Sequence, residues 1–140
     1  MRTTNQLALL CAAALTFLAG CQSVAPTTES ALVDPPCIVT QAGYQHIYAR
    51  HCTASSGASQ LLPQYCTNAA AAQTFCRMVQ SAASQNRVVQ PDNRVRYDSN
   101  LGVIVGTAGE KCGRVIIEST ANGTVVTEFP EFAGAPGNCR

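Results

Sequence analysis

Gly113-Arg114-Val115-Ile116-Ile117-Glu118-Ser119-Thr120-Ala121-Asn122-Gly123-Thr124-Val125-Val126-Thr127-Glu128-Phe129 is the stretch that decides the fold class. Asn122-Gly123 is the strongest hairpin signal in the chain, because a tight two-residue hairpin turn needs positive φ at both central positions. The β-branched runs on either side predict two antiparallel strands, 113–120 and 124–129, the second stopping at Pro130. Upstream, Arg94-Val95-Arg96-Tyr97 reads as a short strand and Ser99-Asn100 as a turn. Leu101-Gly102-Val103-Ile104-Val105-Gly106 then reads as another strand. Before Asn86 the period changes to helical. Residues 39–52 predict a helix with Tyr44, Ile47 and Tyr48 as its apolar stripe. A second helix is expected from Ala69 to Ser84, capped by Thr67 or Asn68, with Phe75, Val79 and Met78 facing inward. Helices first and strands second predict an α+β domain, with N-terminal helices packed on a C-terminal antiparallel β-meander.

The chain begins with a separate signal. Arg2 is the only charge before an apolar run from Leu7 to Leu18, which is shorter than the ~20 residues a membrane-spanning helix needs. Leu18-Ala19-Gly20-Cys21 resembles a bacterial lipoprotein signal. That resemblance implies removal of residues 1–20, a lipid on Cys21 and, with Gln22 next, outer-membrane sorting. Residues 21–36 are rich in Ser, Thr, Ala and Pro and read as a flexible tether. Residues 37–140 are enough for one small domain.

Of eight cysteines, Cys11 leaves with the signal and Cys21 carries lipid. Cys37, Cys52, Cys66, Cys76, Cys112 and Cys139 remain, and an even number in an exported chain reads as three disulfides. Cys112 is expected to pair within the C-terminal half, with Cys139, leaving the other four to brace the helical half. Zinc is the rival reading, but no C-x-x-C pair exists and adjacent His51-Cys52 suit tetrahedral ligation poorly. No metal or other cofactor is expected.

Without Arg2 the chain carries eight cations and eight anions. From Cys37 to Arg114 there are seven cations and three anions, so this part is mildly basic. That suits a phosphate-bearing ligand. No basic tail supports wide nucleic-acid binding.

Both histidines fall in Gly43-Tyr44-Gln45-His46-Ile47-Tyr48-Ala49-Arg50-His51-Cys52. Imidazoles titrate near neutrality, and two of them beside a fixed cation suggest acid–base chemistry on an anionic substrate. Five residues on an α-helix turn about 140° away from the starting face. His46 and His51 therefore cannot share one cleft from a regular helix. Either the helix ends near Arg50 or one of the two only packs, and His51, beside the Ser55–Ser59 loop, is the better candidate for catalysis.

The order of motifs resembles bacterial EndoU-type and related contact-dependent RNase toxin domains, within the barnase–EndoU–colicin–RelE nuclease superfamily. The matching residues are His46, Ile47, Arg50 and His51; Ser59 and Gln60; Gly102, Ile104 and Gly106; and Gly123, Val126, Thr127, Phe129 and Pro130. The resemblance implies metal-independent RNA cleavage to a 2′,3′-cyclic phosphate, with an immunity or envelope protein as partner. It implies catalytic roles for His46, His51 and Thr127, and phosphate contacts from Arg50, Ser59 and Arg96. Gln60 and Leu61 depart from the family's lysine and aromatic, and the only lysine, Lys111, lies elsewhere. Arg96 and Arg114 also read as ordinary solvated strand residues, and Tyr97 and Phe129 as core. A non-catalytic envelope lipoprotein using the same fold as an interaction module is the alternative.

Overall fold

The computed structural model describes residues 34–118 and 123–132. The lipoprotein signal, Cys21, most of the expected tether, the Asn122 half of the hairpin turn and Cys139 lie outside the described residues. Thr40 opens helix α1 (Gln41–His51), its Oγ1 accepting from the Gly43 amide at 3.1 Å. The apolar stripe differs from expectation: Ile47 and His51 are buried, Tyr44 is half-buried and Tyr48 is 44% exposed. The ring of Tyr44 is drawn in by its hydroxyl, which donates to the Cys66 carbonyl at 2.7 Å.

Asn68 caps helix α2 (Ala69–Ser81), accepting from the Ala71 amide at 2.9 Å. Ala72, Phe75, Cys76 and Val79, spaced i, i+3, i+4 and i+7, form its buried stripe. The helix stops at Ala82 rather than Ser84, the chain turning extended there.

Four strands follow: β1 (Asn86–Val89), β2 (Arg94–Asn100), β3 (Cys112–Glu118) and β4 (Val125–Glu131), all antiparallel neighbours in chain order. The fold is therefore the expected α+β arrangement, helices preceding an antiparallel meander. Three strand assignments are corrected. Sequence reading omitted β1, whose hairpin turns through Asn93 at a φ of 61°. Ser99-Asn100 continues β2 instead of turning. The apolar run Leu101–Gly106 is a loop, because Gly102 adopts a left-handed φ of 71° and breaks the strand. Val103 and Ile104 consequently face outward, while Val105 accepts from the Leu62 amide at 2.9 Å. Pro130 also sits inside β4, tolerated on an edge strand.

The helices cover one face of the sheet. Phe75, Val79, Ile47, Val95, Tyr97, Val115, Ile117 and Val125 form its core. Gly113 marks the closest approach of α2, since a Cβ there would fall 2.5 Å from Val79 Cγ2 and 2.9 Å from Phe75 Cζ. Gly113→Ala is expected to cost about 1–3 kcal/mol by overpacking. Urea unfolding measures it, and an unchanged midpoint would mean that α2 does not press on β3.

Covalent bracing is shown in part of the expected pattern. Cys37 bonds Cys76 and Cys52 bonds Cys66, while Cys112 is disulfide-bonded to a partner outside the described residues. Asp34 and Pro35, assigned by composition to the tether, are held instead. The Tyr97 hydroxyl and Arg87 Nε donate to Asp34 Oδ1 at 2.7 and 3.1 Å, and Gln80 donates to the Pro35 carbonyl at 2.7 Å. Ile38 then pairs in parallel with Thr124 and covers part of the β4 edge. Among the described residues no helix is long and apolar enough to cross a membrane.

Candidate functional site

A β-bulge sets up the site. Ile117 pairs with Val125 and Ile116 with Thr127, so Val126 is the extra residue on β4. The bulge keeps Val125 in the core and sends Thr127, Phe129 and Glu131 to the face away from the helices. Cross-strand register then places three rows on that outer face: Arg96, Ile116 and Thr127; Asp98, Arg114 and Phe129; Asn100, Cys112 and Glu131.

Helix α1 packs against β4, and its last residue, His51, reaches the rim of this face. Its ring stacks on Phe129 with centroids 4.9 Å apart and planes 17° from parallel. Nδ1 lies 2.9 Å from the Ser59 carbonyl oxygen. A carbonyl can only accept, so Nδ1 carries the proton and Nε2 keeps its lone pair. Burial holds the imidazole below its usual range, aided by Arg50 and His46 and opposed by the Ser59 hydrogen bond. The ring is thus a neutral base at pH 7, fixed in one tautomer. The Cys52–Cys66 bond and the Leu61 amide, donating to the His51 carbonyl at 2.8 Å, hold the loop bearing Ser59 in place.

Beside the ring lies a charged cluster. The Arg114 guanidinium stands 5.8 Å from the Phe129 centroid. Arg114 Nε donates to Asp98 Oδ1 at 2.5 Å and its Nη1 to Glu131 Oε1 at 2.9 Å. Arg96 Nε donates to Asp98 Oδ2 at 2.9 Å. Asp98 is fully buried under these arginines although it sits on the outer face. Burial raises the Glu131 carboxyl to about 7, Arg114 opposing and Asp98 reinforcing the shift.

Not all the expected residues converge. His51, Thr127 and Arg96 share the rim and outer face. His46 is exposed on α1, five residues before His51 and so about 140° round the helix from it. Arg50 is exposed at the helix end, where its carbonyl accepts from Ser56 Oγ at 2.6 Å. Ser59 contributes its backbone carbonyl to His51. Phe129, read from sequence as core, is half-exposed on the outer face, because the bulge reversed its direction. Asp98, Arg114 and Glu131 were not selected by sequence reading. The available signal was the alternation Arg94, Arg96, Asp98, which puts charge on one side of a strand, but its continuation onto β4 depends on the bulge.

On the opposite face lies Glu128, fully buried, its two carboxylate oxygens without hydrogen-bond partners among the described residues. Desolvation pushes this carboxyl well above the usual range. Among the described residues no group of three His, Cys, Asp or Glu side chains is placed to hold a metal ion. Searches with the whole chain against family models, curated proteins and solved structures return no match, so the site rests on its own geometry.

Proposed function

We propose that this protein is an exported, lipid-anchored ribonuclease-like domain that cleaves RNA by transesterification without a metal. The observation that carries the reading is the held imidazole: Ser59 fixes its tautomer and Phe129 its plane, at the edge of a sheet face bearing two arginines. RNA supplies its own nucleophile, the 2′-hydroxyl beside each phosphodiester. A neutral base within reach of that hydroxyl, with cations and the Thr127 hydroxyl nearby to hold the phosphoryl oxygens, is the equipment the step needs. Phe129, next to the base, offers an aromatic surface on which a nucleobase can stack.

Purified, oxidised protein incubated with end-labelled RNA tests this. Cleavage should persist in EDTA and yield 2′,3′-cyclic phosphate and 5′-hydroxyl ends, while an all-deoxy oligonucleotide of the same sequence stays intact. Loss of activity on chelation, or cleavage of the deoxy strand, would falsify the 2′-hydroxyl chemistry.

One observation favours a second reading, a non-catalytic envelope interaction module. Asp98 and Glu131 already engage Arg96 and Arg114, which leaves the outer face with little net positive charge. RNA left uncut, with an envelope protein bound through this face, would decide for it.

A further inference from the structure

The two disulfides whose partners are both described differ in how they meet water. Cys37 and Cys76 are 4% and 0% exposed and belong to the hydrophobic core. Cys52 and Cys66 are only half-buried, and both line an open groove of about 500 Å³ together with Tyr48, Leu61 and Pro63. A thiolate must reach a disulfide sulfur to exchange with it, so access decides which bridge reacts. Opening this one leaves its cysteines in place. The Cys52 amide donates to the Tyr48 carbonyl at 3.0 Å and closes the end of α1. The Cys66 amide donates to the Pro63 carbonyl at 3.0 Å, and the Cys66 carbonyl accepts from the Tyr44 hydroxyl at 2.7 Å. None of these hydrogen bonds uses sulfur, so an opened pair stays positioned to rejoin. What changes is the segment between them. Ser59 and the Leu61 amide, the latter donating to the His51 carbonyl at 2.8 Å, are then held by hydrogen bonds alone.

We propose that Cys52–Cys66 is a redox-active pair, opened and re-closed in the folded protein by a dithiol entering this groove, and that its state sets how firmly the Ser59 loop holds His51. The pair stands whether or not the protein cuts RNA. The incoming thiolate bonds to Cys52 Sγ, the bond between the two protein sulfurs breaks, and Cys66 leaves as a thiolate. Cys52 is the poorer place for the negative charge, because it caps the C-terminus of α1. The second thiol of the dithiol, deprotonated in turn, attacks its own sulfur in the mixed disulfide, and Cys52 leaves. Both protein thiolates take up a proton. Two electrons have passed: the protein bridge is reduced to two thiols and the dithiol is oxidised to a disulfide. The same steps in reverse re-form the bridge.

Dithiothreitol is the probe, and the oxidised, unaltered protein is the sample. Aliquots are quenched by alkylation at intervals and mapped by mass spectrometry. Cys52 and Cys66 should be alkylated together, at least about tenfold sooner than Cys37 and Cys76, as their difference in access requires. The rate should be unmoved by urea below the unfolding transition, as expected of a reaction in the native state. In protein with this bridge alone opened, the Leu61 amide should exchange about a hundredfold faster, the scale of the constraint that a cross-link over 14 positions imposes. Nitrogen-15 spectra should show His51 leaving its single Nδ1–H tautomer, and oxidised glutathione should restore both signals. Opening of Cys37–Cys76 first or at the same rate overturns the proposal. So does opening that waits on urea, or a Leu61 amide and His51 ring indifferent to the bridge. RNA left uncut while the bridge opens selectively would remove the ribonuclease reading alone. RNA cut by a protein whose bridge opens only on unfolding would remove the redox pair alone.

Discussion

His51→Ala is expected to lower the rate of RNA cleavage by about a hundred- to ten-thousandfold, the range spanned by positioned acid–base groups. The loss should fall on kcat more than on KM, because the ring takes a proton in the transition state and binds little in the ground state. Truncation also strips the Ser59 carbonyl of its donor, so stability should be followed in parallel. His51→Gln restores a donor side chain there without a base of comparable pKa, and should be as inactive. His46→Ala, on the exposed flank of α1, should stay within about threefold of the unaltered rate, far below what loss of an acid–base group costs. Cleavage at full rate in either His51 variant would end the assignment. The pH profile carries the same logic. Activity should climb as His51 deprotonates, at a pH below the usual imidazole range because the ring is desolvated.

Glu128→Met is expected to make the domain more stable at pH 7, because an apolar side chain needs no proton on folding and leaves no buried carboxyl oxygen without a partner. Burial raises the pKa of this carboxyl in the folded state, so folding requires it to keep a proton. Stability from such a group is fully present below the pKa of the unfolded chain, ~4.3, and is lost as pH rises, at about 1.4 kcal/mol per unit. The difference between variant and parent should therefore be smallest near pH 4.5 and grow as pH rises above it in urea titrations. A variant less stable than its parent at every pH would show that Glu128 has a partner. The parent, by the same reasoning, becomes easier to unfold as the solution turns alkaline.

Much of the architecture was legible because local chemistry and tertiary packing agree. Asn68 is placed to cap, and Phe75 and Val79 recur at helical spacing. The β-branched runs around Gly123 admit few other readings. What escaped was decided by single backbone positions. Gly102 adopts a left-handed φ that no hydropathy pattern announces, and an apolar run that reads as a strand became a loop. The bulge at Val126 shifted the alternation by one residue, which put Phe129 outside and Glu128 inside, opposite to what their polarity suggests. The site suffered most from this, since Asp98, Arg114 and Glu131 become neighbours only once the register is known. His51 was accessible to reasoning, because a helix-end imidazole beside a loop is a recognisable arrangement. Its partner was not, being a main-chain carbonyl.

The Cys52–Cys66 bond begins one residue after His51 and spans 14 positions in sequence, Ser59 among them. A freshly made copy with its thiols still reduced lacks that clasp, and the carbonyl that aims the ring loses its covalent support. On the ribonuclease reading, competence for chemistry would arrive only with oxidation, and a reduced chain would be idle until then.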